Sequence, residues 1–491
     1  MPDLRAARRS GWTRTVAHCS VVLLLAVAAC GEQQKPAAGA SSGSGNERVA
    51  GAATAEADTD IVVVVRDVAQ LPATRKDRPL ARINALTHAG DGTARLFAVD
   101  MDGAVHVLDN GQLLPAPFLD MTKARAKAFV HDDLEKGLTS VAFHPDFARA
   151  GAPGFGRVYT ATTELAASGV ADFGSPDPNG VVSHHDVIAE WRVDAKDPNR
   201  VDPDSRREVL RIGHPLRDHT IGQIAFNPNT RPGDADYGLL YIGVGDGGDT
   251  VPGRGEIDQM RNAQNTKVLL GKILRINPLP GEGRKYTVPK DNPFVGRASH
   301  LPEIWAYGLR NPQRFGWDTD GSRTMLIVDI GQAQVEEVNI GKAGANYGWS
   351  EREGAAAVNH RDQGQASDLP ASDASFGYTY PAIQYRHDIG RAVTGCCVYR
   401  GRLLAPLRGK YVFGDIVSGR IFFSDVARLA SGSVAKFAEV RLKHLGRQKT
   451  LLEILGNDDR ADLRFGVDAA GEIYLLTKRD GMIRKLSFVE N

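Results

Sequence analysis

Beyond residue 60 the apolar side chains fall in short runs with a period of two, and little helical spacing is visible. Arg95-Leu96-Phe97-Ala98-Val99 leads through Asp102-Gly103 into Val105-His106-Val107-Leu108. Glu472-Ile473-Tyr474-Leu475-Leu476 leads in the same way through Asp480-Gly481 into Ile483-Arg484-Lys485-Leu486. Tyr411-Val412-Phe413, Ser418-Gly419 and Arg420-Ile421-Phe422-Phe423 make a third copy, and Leu240-Tyr241-Ile242 opens a fourth. Runs of this kind, broken by Asp-Gly and Gly-Gly turns, predict antiparallel hairpins. A lone hairpin cannot bury both of its apolar faces, and radial stacking lets each sheet pack on its neighbours without long exposed edges. The pattern therefore predicts an all-β fold, a six-bladed β-propeller of four-stranded antiparallel blades, with Ile61–Val65 closing the ring on the last hairpin. A pair of β-sandwiches is the rival, but it does not call for the repeated hairpin.

The N-terminus follows a different pattern. Arg5, Arg8, Arg9 and Arg14 precede an apolar run, Val21–Ala29, too short to span a bilayer as a helix. Residues 1–29 read as a lipoprotein signal peptide, because Val27-Ala28-Ala29-Cys30 resembles a bacterial lipobox and makes Cys30 the lipidated residue. An ordinary signal peptide with a chance cysteine is the alternative. Arg8-Arg9 is only a loose match to a twin-arginine signal. Residues 30–60, rich in Ala, Gly, Ser, Gln and Glu, read as a disordered tether, and 61–491 as the propeller body. The expected product is an exported, periplasm-facing lipoprotein held at the membrane.

A net charge of +1 shows no footprint for nucleic acid or for a polybasic membrane contact. Of the four cysteines, Cys19 is lost with the leader and Cys30 is lipidated, which leaves the vicinal pair Cys396-Cys397. That pair is either a strained disulfide or two buried thiols.

Chemistry concentrates between Asp218 and Asp249. His219 follows a carboxylate and precedes the apolar positions Ile224 and Phe226, and the strand around Leu239–Ile242 runs into Gly243-Val244-Gly245-Asp246-Gly247-Gly248-Asp249. An imidazole and an acid, each where a strand meets a turn, suit proton transfer near neutral pH. A turn histidine with a glycine-rich hairpin is the plainer reading of the same residues.

Several further segments, in order, resemble one family. Gly137–Phe147 (GLTSVAFHPDF), Tyr241–Asp249 (YIGVGDGGD), Leu269–Ile276 (LLGKILRI) and Asp291-Asn292-Pro293-Phe294 are similar to motifs of the glucose/sorbosone dehydrogenases. So are Glu303–Phe315 (EIWAYGLRNPQRF), Asp329-Ile330-Gly331-Gln332, Glu336-Glu337-Val338-Asn339 and Asn346-Tyr347-Gly348-Trp349. The resemblance covers roughly residues 75–488.

It implies a six-bladed propeller that holds pyrroloquinoline quinone (PQQ) and Ca²⁺ and oxidises the C1 hydroxyl of an aldose to a lactone. It further implies that His219 is the general base and that Asp246 orients it. Arg310 and Asn311 match the pair facing the quinone oxygens. Arg400 falls where the family has a basic cofactor contact and Arg420 offers another, each with a strand-end residue as the plainer reading. Gly331 and Gln332 match a pair of backbone carbonyls that hold calcium. No Cys-x-x-Cys-His haem motif is present, so electrons are expected to pass to a separate acceptor, a cytochrome or membrane quinone.

Three departures stand out. Many relatives have Asn-Gly-Gly after the histidine, whereas this chain has Thr220-Ile221-Gly222, expected to place a β-branched side chain near the cofactor plane. Glu135-Lys136 replaces a cofactor-binding glutamine, which sets a carboxylate toward a carboxylate unless Lys136 or calcium compensates. The segment Asn229–Asp236 lengthens the path from His219 to Asp246. Cys396-Cys397, three residues before Arg400, is expected near the pocket, where a vicinal disulfide would pack on the quinone. These departures leave a second reading, a non-catalytic, calcium-containing propeller that binds a saccharide or protein ligand at the cell envelope.

Overall fold

Alternating apolar positions produce strands almost throughout. Among the described residues the only α-helices are Met121–Ala124 and Leu451–Ile454, each a single turn. The computed structural model describes residues 55–56, 60–132, 134–248, 260–281, 283–360 and 366–488. The leader, Cys30, most of the tether and Asp249 lie outside the described residues.

Six antiparallel four-stranded sheets follow one another along the chain. The first holds Ile83–Thr87, Leu96–Asp100 and Ala104–Asp109, with Leu119–Asp120 pairing on its outer edge. The second is Leu138–Phe143, Arg157–Glu164, His184–Val193 and Val201–His214. Ile221–Phe226, Leu240–Val244, Lys272–Ile276 and Ile304–Tyr307 form the third. Arg314–Trp317, Met325–Asp329, Val335–Ile340 and Ile383–Arg386 form the fourth. The fifth is Val393–Val398, Lys410–Asp415, Ile421–Asp425 and Phe437–Glu439.

The sixth joins the two ends of the body. Leu463–Val467, Ile473–Thr477 and Met482–Ser487 are completed by Val62–Gln70 from the N-terminal side, with Val65 opposite Leu486. The expected closing strand is therefore in place.

The first strands of successive sheets lie side by side, and that of the sixth returns to that of the first. At this junction Gly466 pairs with Leu86, and a Cβ on Gly466 would stand 2.4 Å from the Leu86 Cβ, so the close approach requires glycine. The apolar residues do not form one central core. They form wedges between neighbouring sheets: Phe97 and Val105 with Leu138 and Trp191, Ile188 and Val209 with Ile224 and Ile242, Tyr241 and Ile273 with Phe315 and Ile327. Further round, Val338 and Leu326 pack with Phe413, Val412 and Ile421 with Val65 and Leu475, and Leu476 and Ile483 with Ile83 and Leu96. This arrangement is consistent with a propeller.

All six first strands point the same way. Asn84, Glu135, Thr220, Gln313, Ala392 and Asp462, at or just before their N-terminal ends, line one cavity. Thr87, Phe143, Phe226, Trp317, Val398 and Val467, at their C-terminal ends, line a second. A residue's position relative to its first strand thus decides which cavity it serves.

Val65 is 2% exposed on the closing strand. Val65→Asp puts an unpaired carboxylate into the wedge between the fifth and sixth sheets and should lower stability by about 3 kcal/mol or more. Val170→Ser, at a side chain 89% exposed, should change it by less than about 0.5 kcal/mol. Urea unfolding of both variants checks this.

Candidate active site

His219 sits where the chain leaves the second sheet and enters the first strand of the third. Its backbone is left-handed (φ 59°), and its carbonyl oxygen would lie 2.3 Å from a Cβ on Gly245, so the glycine after Val244 is what admits it. The ring is buried, and its Nδ1 meets the Asp246 carboxylate at 2.6 Å. Asp246 is held from three further sides: the Gly248 N–H and the Trp349 indole N–H donate to its carboxylate at 2.9 and 2.8 Å, and its own N–H donates to the Arg310 carbonyl at 2.8 Å. With Nδ1 committed to Asp246, Nε2 is the ring nitrogen left for proton transfer. Burial and the Arg310 charge push the imidazole toward its neutral form, but Asp246 and Glu135 outweigh them and hold it above the ordinary histidine value. The Asp246 carboxyl, though buried, is drawn below its ordinary value by His219.

Arg310 and Asn311 reach the same place from the turn before the fourth sheet. Both backbone N–H groups donate to the Asp329 carboxylate, at 2.9 and 2.6 Å. The Arg310 guanidinium donates to the Ile330 carbonyl at 3.0 Å and to the Gln332 side-chain oxygen, and lies 5.6 Å from the Trp349 ring centre. Gly331 and Gln332 are therefore beside Arg310, as expected. The N–H groups of Gln332, Ala333, Gln334 and Val335 all converge on one oxygen of Glu353 and fix the turn. Beneath it lie two buried acids: burial pushes Asp329 up to about 7, and burial with the Asp329 charge pushes Glu337 up to about 8.

Glu135 also reaches the cluster. Its carboxylate accepts from the His219 backbone N–H and, at 3.2 Å, from the Asn311 side chain, while its carbonyl accepts from the Thr220 hydroxyl at 3.1 Å. Two of the three departures, Glu135 and Thr220, are thus bonded to each other, and Ile221 packs beside Val244 and Leu270 while also lining the cavity, as expected. Lys136 does not compensate Glu135; its carbonyl accepts from Arg82, and its charge is felt at His184. The extra loop residues Asn229–Asp236 lie at the far end of their hairpin, so Ile221 and Val244 still pair and the His219–Asp246 contact is undisturbed.

Two basic residues fall elsewhere. Arg400 follows the C-terminal end of its first strand, at the opposite end of the molecule from His219, where it pairs with Asp318 through bonds of 2.8 and 2.7 Å. Arg420, in the hairpin after the second strand of the fifth sheet, pairs with Glu439 at 2.9 and 2.6 Å and donates to the Ile389 carbonyl. Cys396 and Cys397 line the opposite cavity as unbonded thiols 3.3 Å apart, away from His219.

Three cations at this cavity were not singled out from sequence, and one of them, Arg460, pairs with Asp462. Arg464 and Lys478 line it, both buried. Arg464 donates to the Asn84 side chain at 3.3 Å and to the Leu463 carbonyl, and the Lys478 ammonium meets only the Met101 sulfur at 3.1 Å. Burial lowers Arg464 to about 10, and burial with the Arg464 and Arg82 charges lowers Lys478 well below its ordinary value. No short motif marks them: Arg464 lies in the first strand of the sixth sheet, and Lys478 in the turn after its second strand. Thr220 and Asn311, the neighbours of His219 and Arg310, also line this cavity.

The profile of the Glucose / Sorbosone dehydrogenase family matches residues 82–484. The chain belongs to this family. Among curated members it is similar to the HIPL1 protein of Arabidopsis thaliana, 29% identical over 446 residues, 80% of this chain and 60% of that protein. It is also similar to the Hedgehog-interacting protein of Mus musculus, 27% identical over 400 residues, 80% of this chain and 48% of that protein. The chain thus spans about half to three-fifths of the length of these relatives. Among solved structures, a glucose dehydrogenase shares the fold at a TM-score of 0.59 and 21% identity, covering 86% of this chain and 98% of that one. The PQQ-bound aldose sugar dehydrogenase of Streptomyces coelicolor does so at 0.53 and 20%, covering 86% and 97%.

Within this family member the dyad makes a specific prediction. The His219 ring, followed by NMR, should titrate above the ordinary histidine value of about 6.5. Asp246→Asn removes the anion that holds it up, so the titration should move to lower pH. An unmoved titration would mean that Asp246 does not set the ring's charge.

Proposed function

We propose that this chain is a six-bladed β-propeller quinoprotein, an oxidoreductase that converts the C1 hydroxyl of an aldose to a lactone with PQQ and Ca²⁺. The observation that carries the reading is the His219–Asp246 pair beside a cavity where, among the described residues, neither Arg464 nor Lys478 forms an ion pair, the carboxylates that share the cavity being engaged by Arg460 (Asp462) and by the His219 N–H and Asn311 (Glu135). Buried cations in that state are costly unless an anion joins them, and a cofactor with three carboxylates fits that donor set. Bound PQQ would supply the two-electron acceptor for the hydride leaving C1.

The remaining work falls to the chain. His219 Nε2 takes the proton of the C1 hydroxyl, and Asp246 keeps the other ring nitrogen protonated and stabilises the imidazolium that forms. Arg310, fixed by Gln332 and Ile330, and Asn311, fixed by Glu135, present donors toward charge that develops in the cavity. The carbonyls of Gly331 and Gln332 offer the oxygen ligands that calcium takes. Electrons then pass to a separate cytochrome or membrane quinone, and lipid on Cys30 keeps the protein at the periplasmic face of a membrane.

A second reading is favoured by one finding. A relative covering 80% of this chain is named for an interaction with another protein rather than for a reaction. On that reading the same cavity binds a saccharide or protein ligand and calcium is structural.

Purified protein reconstituted with PQQ and Ca²⁺ should reduce a redox dye with at least one of a panel of aldoses. His219→Ala should lower kcat by about 10²–10⁴-fold and leave PQQ binding nearly unchanged. PQQ bound with no turnover on any aldose would favour the second reading, and equal loss of binding and turnover in His219→Ala would make the histidine structural.

A further inference from the structure

A second group of ligating side chains lies directly behind His219. His184 and Asp186, two apart on the third strand of the second sheet, share a face, and His184 pairs across the ladder with His214 on the fourth strand. The strand register alone thus brings the three together. All are fully or almost fully buried, and one ligand atom from each lies within 4.8 Å of the others. His184 Nε2 stands 3.5 Å from one Asp186 oxygen, and His214 Nε2 stands 3.9 Å from the other. A tetrahedral ion with bonds of about 2.0–2.1 Å places its ligand atoms about 3.4 Å apart, close to these separations.

The His184 and His214 rings stack on each other with centroids 4.5 Å apart and both Nε2 atoms near Asp186, one oxygen of which also accepts from the Ile221 N–H at 3.1 Å. His184 Nδ1 faces the Ser183 hydroxyl at 3.3 Å, while its Nε2, in a side chain with no exposed surface, has no hydrogen-bond partner. His214 Nδ1 faces the Leu216 carbonyl at 2.9 Å, the outer bond that metal-ligating histidines commonly make. Its Nε2 then points at Asp186 and, at 3.1 Å, at the His219 carbonyl oxygen.

We propose that His184, Asp186 and His214 form a binding site for a divalent first-row transition metal, Zn²⁺ by ligand type, with the His219 carbonyl oxygen as a fourth ligand. Imidazole nitrogens select such an ion over Ca²⁺, so this site differs in kind from the Gly331–Gln332 turn. The ion would clamp residues 214–219, the segment that holds His219 in its left-handed backbone. The Lys136 charge felt at His184 opposes the ion and weakens it relative to a closed structural zinc site. Nothing in this inference depends on the catalytic reading.

Full-length protein, stripped with a chelator, is titrated with Zn²⁺ by calorimetry and with Co²⁺ by visible absorption. One equivalent should bind, the cobalt form should show the intense bands of tetrahedral coordination, and Zn²⁺ but not Ca²⁺ should displace it. His184→Gln and Asp186→Asn should each weaken binding at least tenfold, whereas His300→Gln should not change it. Absence of binding, or wild-type affinity in both variants, overturns the proposal. Should the variants fail to fold, zinc-edge X-ray absorption of the wild type decides: two imidazole ligands uphold the site, and none refutes it.

Discussion

The pairing of Val62–Gln70 with Met482–Ser487 is the constraint on which the rest depends. Among the described residues the six large apolar wedges are each shared between two neighbouring sheets. A wedge is complete only when both sheets are present, so the last sheet is finished by a strand from the other end of the body. The cavity inherits the same dependence. Its wall takes Asn84 from the first sheet and Arg464 and Lys478 from the sixth, with Glu135, Thr220, Asn311 and Ala392 between them. Loss of closure would scatter groups that are separated in sequence by nearly the whole body.

Once the ring is closed, the energetic difficulty moves to buried charge. His219, Asp246, Arg310, Asp329 and Glu337 all lie out of water within a few residues of one another. The arrangement works by giving each a defined partner: imidazole on carboxylate, indole on carboxylate, backbone N–H groups on Asp329, guanidinium on Gln332. Glu135 is part of this scheme. In a position where a carboxylate looked unfavourable, it ties the His219 backbone to Asn311 and braces two elements of the site. Arg464 and Lys478 are the exception, cations left with neutral partners. An exception of that kind at the mouth of six strands has a natural explanation in a ligand.

Much of this was legible in the chain. The period-two runs and their turns predicted the antiparallel sheets and the closing strand, and the family motifs carried His219, Asp246, Arg310, Asn311, Gly331 and Gln332 into one region. Arg420 lies at the same end as His219, in the hairpin beside Ile416, and misses the cavity because it turns to Glu439; Arg400 was misplaced for another physical reason. Motif spacing says which strand a residue neighbours, but not at which end of the strand it lies. Arg400 lies past the end of Val393–Val398 and therefore faces the other cavity, along with Cys396 and Cys397. Arg464 and Lys478 escaped notice because a basic residue in a strand, or in the hairpin turn after one, reads as solvent-facing. Only the direction of the six first strands, common to all of them, turns these two inward. His184, Asp186 and His214 were equally silent, since their proximity comes from register across a ladder.

The central claim is that this cavity is built for an anionic quinone beside a histidine base. Its most direct test is the affinity of stripped, calcium-loaded protein for PQQ, measured by the change in cofactor absorbance, in the wild type and in Lys478→Met. The account predicts saturable binding in the wild type and at least a tenfold weaker affinity in the variant, because an apolar side chain of similar length leaves a cofactor carboxylate without its cation. Equal affinity in the two proteins, with both shown to be folded, would contradict it.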